Sequence, residues 1–320
     1  MKKQLILCIS ICIFMGVLSV NAYKKDPEYL HAKRSGAPVK IIVSTYDDDN
    51  KPVSNATIKV LMGMHYREEA YFINGETDQE GKFVVEGITK GNEIEITVTR
   101  DGYYKAFKRL CFTQMGREYE VKNGKWQPWG MEVSLPLREK RNPIPLVRMA
   151  KFIDLVSTNQ WVGFDMKEKD WIATGHKGKV ADFEAKLIWD GEHLSRTKQT
   201  DLQVRFVGDG AGYYLADKTP YSAFPGVYHA STNAPLLKEF WCRTATKNWV
   251  CTQTGVPEGK RIIARTRCKL NSQQEVIEAN YSSFRAFTVE GDGNGKADAL
   301  IKYDFNPTPN DTNLEPANMP

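Results

Sequence analysis

The chain has 320 residues, and its 44 lysines and arginines nearly balance its 39 aspartates and glutamates, which gives a formal net charge of +5. This mild charge, without a basic run interleaved with aromatic residues, argues against a nucleic-acid-binding protein. The length is sufficient for two ordinary domains.

The first 22 residues form a predicted secretory signal peptide. Lys2 and Lys3 precede an apolar run from Leu5 to Val20, and Ala22 closes a small-residue pattern typical of a cleavage site. The run is short for a membrane-spanning helix, and no second long apolar run follows it. We therefore expect cleavage after Ala22, export to the periplasm or the extracellular space, and no transmembrane span in residues 23–320.

Strands with one wet face are predicted from Val39 onward. Apolar and polar residues alternate over 39–44, over 56–60 and most clearly over 93–99, and this period of two is typical of half-buried strands. Gly81 closes the segment 77–81 at the position where a type I turn favours glycine. Short strands with turns about every ten residues indicate a β-sandwich.

Several of these residues resemble the carboxypeptidase regulatory-like domain. The resemblance covers about residues 37–108 and rests on the segment 50–60, with its Pro-Val step, and on Thr77-Asp78, Gly81, Phe83 and Gly102-Tyr103. It implies an immunoglobulin-like or transthyretin-like sandwich, here placed at residues 37–135, that accompanies other domains. The family brings no catalytic residues and no cofactor, so none is expected here.

A second β-rich domain is predicted for residues 146–306, after a boundary near 136–146 that is punctuated by prolines. Strand patterns lie at 181–189, 202–207, 261–270, 283–289 and 299–305. The segment Leu146 to Leu155 fits either a short helix or a strand. Residues 307–320 are predicted to be a C-terminal tail. The chain is therefore expected to be all-β.

This second half resembles a group of exported proteins from environmental bacteria in which a sandwich is followed by a β-rich region. The similar stretches are 142–145, 163–171 and 306–311. The resemblance implies an architecture and no activity.

Four cysteines follow the predicted signal peptide, and in an oxidising compartment they allow three disulfide pairings. If residues 241–252 form a hairpin that turns at Thr246-Lys247, Cys242 and Cys251 lie opposite each other at a distance that suits a disulfide. Cys111 and Cys268 would then form the second bridge.

A calcium-loop pattern at 290–301 is the weak metal candidate, with Asp292, Asn294 and Asp298 as possible oxygen ligands. The twelfth position, where a bidentate acid belongs, is Ile301. A glycine-rich hairpin tip explains the same residues, so no metal is expected.

All seven tryptophans lie between Trp126 and Trp249, and exposed tryptophans can stack on sugar faces. Core packing is the expected role of most. Trp126 and Trp129 are the predicted exceptions because they lie in a polar stretch that contains glycine and proline.

No catalytic signature is present in the sequence, and no catalytic residue is assigned. We expect an exported, non-enzymatic binding or scaffold protein of the cell envelope, whose partner is a protein or a polysaccharide. The alternative is a glycan hydrolase with its site in the C-terminal half. A cleft that gathers Asp165, Asp170, Asp182 or Glu192 beside a tryptophan would favour the hydrolase, whereas flat sheet faces with isolated rings would favour binding.

Overall fold

The computed structural model describes residues 27–63, 70–91, 93–112, 121–155, 159–189, 197–247, 250–291, 297–317 and 319. The fold is mostly β, which confirms the predicted all-β class. The chain divides into two compact units between Arg138 and Glu139, within the predicted boundary region. The predicted signal peptide lies outside the described residues.

The described residues of the first unit form a short helix and nine strands. They are α1 (Pro27–Ser35), β1 (Ala37–Tyr46), β2 (Thr57–Met62), β3 (Tyr71–Glu76), β4 (Lys82–Thr89), β5 (Glu93–Thr99), β6 (Ala106–Cys111), β7 (Val121–Lys122), β8 (Lys125–Trp126) and β9 (Met131–Pro136). The nine residues of α1 are far fewer than a bilayer crossing needs, and no described helix is long and apolar enough for one.

Two sheets of the first unit share one hydrophobic core. One has the order β4-β1-β9, with β1 antiparallel to β4 and parallel to β9, and the other has the order β3-β2-β5-β6. Both contribute their inward apolar residues to a single cluster, for example Ile41 and Val85 from the first sheet and Val60 and Ile96 from the second. The predicted alternation therefore places one face of each sheet in the core.

The predicted turn at Gly81 is present, and its backbone requires glycine. The φ angle is +70°, and a Cβ there would lie 2.6 Å from the carbonyl oxygen of Thr45. Asp78 closes the turn, because its side chain accepts the backbone N–H of Lys82 at 2.7 Å.

Eleven strands lie in the part of the second unit that the structure describes. They are β10 (Val147–Asp154), β11 (Val162–Asp165), β12 (Asp170–Trp171), β13 (Phe183–Trp189), β14 (Thr197–Phe206), β15 (Gly212–Asp217), β16 (Glu239–Lys247), β17 (Val250–Thr254), β18 (Lys260–Leu270), β19 (Val276–Gly291) and β20 (Ala297–Asn306). The ambiguous segment at Leu146 is thus a strand, which pairs along its whole length with β20.

These strands form a six-stranded sheet, β12-β11-β13-β14-β16-β17, and a five-stranded sheet, β10-β20-β19-β18-β15. Aromatic side chains from both sheets fill the shared core: Phe183 stacks on Phe164 at 5.0 Å between ring centroids and meets Phe287 edge-on at 5.7 Å. A smaller apolar cluster around Ile263 and Leu314 lies on the other face of the five-stranded sheet.

The predicted C-terminal tail is wrong for residues 307–316, which belong to the second unit. Asn313 and Glu315 are buried, and the Glu315 carboxylate accepts the backbone N–H groups of Arg141 and Asn142 at 2.9 and 2.7 Å. Ile144 pairs with Pro316 in a parallel bridge. These bonds saturate backbone groups that a loose tail would leave to water.

Candidate binding face and carboxylate network

Trp241 lies on the outer face of the six-stranded sheet and leaves 48% of its surface exposed. Its register partner on β14 is Gln203, whose own partner on β13 is Lys186. The adjacent residues Leu202 and Cys242 are buried in the core. Since successive side chains on a strand point to opposite faces, Trp241, Gln203 and Lys186 point outward together.

Trp161 extends this series to the start of β11. The guanidinium carbon of Arg205 lies 4.2 Å from the centroid of its ring, and Nζ of Lys186 lies 5.8 Å away, so the ring is on the same outer face. Three strand-to-strand steps separate β11 from β16, which puts the two tryptophans about 14 Å apart. We call Trp161, Lys186, Gln203 and Trp241 the tryptophan row.

The arginines beside the tryptophan row are paired with acids. Arg205 donates to Glu184 at 2.6 Å. Arg243 donates to both carboxylate oxygens of Asp201, at 2.6 and 2.8 Å, and this hydrogen bonding raises the pKa of Arg243. The face therefore offers two aromatic rings and many hydrogen-bonding groups with balanced charge.

The two tryptophans selected from the sequence have different environments. The prediction for Trp126 is wrong: its side chain is fully buried, stacks on Phe112 and donates to the carbonyl oxygen of Thr89 at 2.9 Å. Trp129 is 40% exposed, with Nζ of Lys125 4.5 Å from its ring centroid. Trp129 thus remains a candidate surface ring in the first unit.

Asp165 and Asp182, considered above as hydrolase acids, are joined by Arg267 in a buried network. Arg267 donates to Asp165 at 2.7 Å and to both oxygens of Asp182, at 2.8 and 2.7 Å. Thr266 adds a bond to Asp182 at 2.9 Å. We call these residues the carboxylate network.

The remaining acceptor capacity of the carboxylate network is taken by backbone. Asp165 accepts the N–H groups of Lys167, Glu168, Lys179 and Val180, so it holds both ends of the 165–182 loop. Burial by itself would raise the pKa of Asp165, but these backbone donors and Arg267 together hold it below its usual value. A carboxylate held in this way is a structural acceptor and a poor general acid.

Asp170 lies in the same loop and is also engaged. It accepts from His176 Nδ1 at 2.8 Å and from the backbone N–H of Lys177 at 2.9 Å. Desolvation opposes these bonds, yet they keep the pKa of Asp170 below its usual value. Asp170 is the register partner of Asp165 and precedes Trp171, so the three acids that can be examined lie close together, while Glu192 lies outside the described residues.

The metal candidate can be examined only in part. Asp292 and Asn294 lie outside the described residues, whereas Asp298 is paired in register with Asp154 and Glu290. Within the described part of the chain, no group of three or more His, Cys, Asp or Glu side chains could hold a metal ion.

The cysteine geometry differs from the predicted one. The hairpin of β16 and β17 pairs Cys251 with Thr246, and Cys242 lies four residues further along, opposite Leu202 on β14. Cys242 is a buried free thiol that donates to the carbonyl oxygen of Phe287, and burial raises its pKa to about 12. Cys268 is also a free thiol, so neither predicted bridge, Cys242–Cys251 nor Cys111–Cys268, is formed.

No family model matches the sequence, and no curated protein matches it. Part of the chain is similar to 3-chlorocatechol 1,2-dioxygenase from Rhodococcus opacus 1CP, with 12% identity over 33% of this chain and 61% of that one and a TM-score of 0.27. Part of the chain is also similar to catechol 1,2-dioxygenase from Acinetobacter sp. ADP1 inhibited by bound mercury. The identity is 14% over 33% of this chain and 53% of that one, with a TM-score of 0.26. A third similar structure is the dioxygenase domain of a dioxygenase carbohydrate-binding protein fusion from Streptomyces sp. SirexAA-E. The identity is 15% over 32% of this chain and 79% of that one, with a TM-score of 0.23.

The chain thus spans less than two thirds of the length of the first two structures.

Sequence reasoning missed Trp161 and Trp241 as surface residues. In the segment 240–243, Trp241 and Arg243 alternate with the apolar residues Phe240 and Cys242, so the neighbour of Trp241 on the same face is charged. That pattern places the ring on the wet face of the strand, and it is the signal that could have identified it.

Proposed function

We propose that this chain is an exported, non-enzymatic binding protein of the bacterial cell envelope and that it binds a neutral polysaccharide on the tryptophan row. The observation that carries the proposal is the exposed ring of Trp241 on an outward sheet face. An isolated exposed ring on a sheet face favours a binding protein, whereas a cleft that gathers acids beside a tryptophan would favour a hydrolase.

The chemistry of the row supports a sugar ligand. An indole ring offers a flat apolar surface to the C–H groups of a sugar, and the amide of Gln203 between the rings can both donate to and accept from hydroxyl groups. The spacing of about 14 Å between Trp161 and Trp241 suits an extended chain with more than one contact. The paired arginines leave no strong charge to attract a polyanion.

The non-enzymatic assignment is supported by the carboxylate network. Asp165 and Asp182 are occupied by Arg267 and by backbone or hydroxyl donors, so neither is poised to transfer a proton to a glycosidic oxygen. A glycosidase needs one acid with a raised pKa, whereas the pKa of Asp165 is lowered.

Affinity electrophoresis of residues 23–320 in gels with soluble neutral polysaccharides tests the binding site. We expect retardation that is lost in Trp241→Ala, weakened in Trp161→Ala and unchanged in Trp129→Ala, the matched control in the first unit. Loss in Trp129→Ala alone would move the site to that unit. Absence of retardation with every glycan would contradict the proposal and favour a protein partner.

A reducing-sugar assay on the same samples tests the non-enzymatic part. We expect no sugar release. Release would establish the hydrolase alternative.

Cell fractionation tests export. We expect the mature protein outside the cytoplasm with Tyr23 as its first residue, since cleavage is predicted after Ala22. A cytoplasmic protein that retains Met1 would contradict the assignment to the envelope.

A further inference from the structure

A second group of charged residues lies on the outer face of the five-stranded sheet, where three arginines surround one carboxylate. Asp304 on β20 accepts from Nε of Arg148 on β10 at 2.8 Å. Nε of Arg285 lies 3.2 Å from the other carboxylate oxygen, and Nη2 of Arg261 lies 4.0 Å from it. The side chains of Asp304 and Arg261 are 3% and 2% exposed. We call these four residues the arginine cluster.

A β-bulge places Arg285 in this cluster. Phe284 pairs with Tyr303 and Ala286 pairs with Lys302, so Arg285 is an extra residue without a partner in the ladder. The bulge keeps both Phe284 and Phe287 in the core and frees Arg285 for the outer face. Bulges of this kind re-aim side chains and are frequent next to binding sites.

Arg285 has donors without acceptors. Its Nε and Nη2 are buried and make no hydrogen bond within the described residues, because the approach to Asp304 has ion-pair distance without hydrogen-bond geometry. Burial lowers the pKa of Arg285, and the charge of Arg148 adds to that effect against the opposing charge of Asp304. The Arg285 side chain is 24% exposed, and a partly buried guanidinium with unsatisfied donors is costly unless an anion completes it.

Two neighbours add donors to the same place. Ser283 pairs with Asp304 in register, and its buried hydroxyl also has no hydrogen-bond partner in the described part of the chain. Nη2 of Arg148 donates to Sδ of Met319, which is a weak acceptor. An oxyanion would supply acceptors for the Arg285 and Ser283 donors, beside the positive charge of Arg148.

We propose that Arg285, Ser283 and Arg148 bind a small oxyanion, either a free phosphate or sulfate or the same group carried on a polymer. The planar guanidinium groups match the oxygen geometry of such anions, and the hydroxyl supplies a further donor. This site lies on the five-stranded sheet and is independent of the tryptophan row on the six-stranded sheet.

Titration of residues 23–320 with inorganic phosphate and with sulfate, at constant ionic strength in chloride buffer, tests the site by calorimetry and thermal unfolding. We expect saturable binding and a rise in Tm of about 5–10 °C at a hundredfold excess over Kd. The response should be lost in Arg285→Gln and kept in Arg243→Gln, a control arginine on the other sheet.

Ser283→Ala keeps the proposal testable if Arg285→Gln does not fold, and we expect it to weaken binding about tenfold. A response to phosphate or sulfate that is unchanged in both Arg285→Gln and Ser283→Ala would overturn the site.

A comparison of sulfated with neutral dextran in affinity gels identifies the source of the anion. Retardation by sulfated dextran that depends on Arg285, without calorimetric binding of free phosphate or sulfate, would support an oxyanion carried on a polymer. The absence of Arg285-dependent binding in both experiments would overturn the proposal. Neither result bears on neutral glycans at Trp241, so the two proposals fail separately.

Discussion

The two charge groups in the second unit are both built from arginine and aspartate side chains, but they differ in how far the arginine donors are hydrogen-bonded. In the carboxylate network one arginine, Arg267, meets two acids, donating from Nε to Asp182 and from Nη2 to both Asp165 and Asp182. In the arginine cluster one acid, Asp304, meets three arginines, and Arg285 retains unsatisfied donors. Both arginines leave the regular ladder at a register shift in neighbouring strands, β18 and β19.

Hydrogen bonding of the arginine donors distinguishes a structural charge group from a candidate ligand site. Arg267 adopts a φ of +51°, an unfavourable backbone for a residue with a side chain, and its planar guanidinium ties a loop to the sheet. That conformation is offset by strong hydrogen bonds. No comparable set of bonds within the described residues offsets the burial of Arg285, which is the physical reason to assign it a ligand.

Arg267→Met is expected to have the largest effect. It leaves Asp165 and Asp182 without their shared cation in a buried setting, so the free energy of unfolding should fall by about 3–5 kcal/mol. Urea unfolding monitored by tryptophan fluorescence measures the loss. Lys260→Met, which breaks the exposed pair with Asp217, should change stability little. Similar losses in the two variants would show that the carboxylate network is not a structural clamp.

Arg285→Met is not expected to lower the free energy of unfolding. Removing a desolvated cation that lacks acceptors should leave the unfolding free energy unchanged or raise it by about 1–4 kcal/mol in chloride buffer. The same urea titration provides the measurement. A loss as large as that of Arg267→Met would mean that Arg285 is satisfied in the protein and that the contrast between the two groups is false.

Acid should weaken the carboxylate network in a predictable direction. Because the folded pKa of Asp165 is lowered, its contribution is full above the unfolded pKa of about 3.9 and is lost as the pH falls through the folded value. One such group contributes a slope of up to about 1.4 kcal/mol per pH unit in that window.

Asp165→Asn should flatten the dependence of unfolding free energy on pH below pH 5. Urea midpoints between pH 5 and pH 3 supply the comparison. Parallel curves for wild type and Asp165→Asn would exclude Asp165 as a source of acid lability.

Trp241→Ala should have the smallest effect on stability, and it extends the comparison from buried groups to an exposed one. The change in unfolding free energy should stay within about 0.5 kcal/mol, because nearly half of the ring is already in water. Polysaccharide affinity should nevertheless fall at least about tenfold. A large loss of stability with unaltered retardation would identify Trp241 as a packing residue.

Local patterns were enough for much of the first unit. The alternation at 39–44 and 93–99 predicts β1 and β5, and the turn chemistry predicts Gly81, because these signals depend only on neighbours in the chain. The role of Trp126 was predicted wrongly, since a polar local sequence does not reveal that α1 and the segment after β6 cover the ring: Tyr29 and Phe112 both contact it.

The register of strand pairing in the second unit could not be predicted from local sequence patterns. The predicted turn at Thr246-Lys247 differs by only two residues from the observed hairpin, whose strands end at Lys247 and begin again at Val250, yet this shift separates Cys242 from Cys251. A small error in register reassigns every cross-strand partner. The C-terminal residues 307–316 were misassigned for a related reason, because their bonds are to residues near 142, far away in sequence.

The sequence by itself determined that this chain is all-β, where eight of its twenty described strands lie, that a boundary falls between 136 and 146, and that Gly81 closes a turn. These features follow from short-range periodicity and backbone sterics. The tertiary structure alone decided which acids meet Arg267, which arginines surround Asp304 and which tryptophans face water. Those outcomes depend on pairings between residues up to 156 positions apart and on two register shifts, which no local pattern encodes.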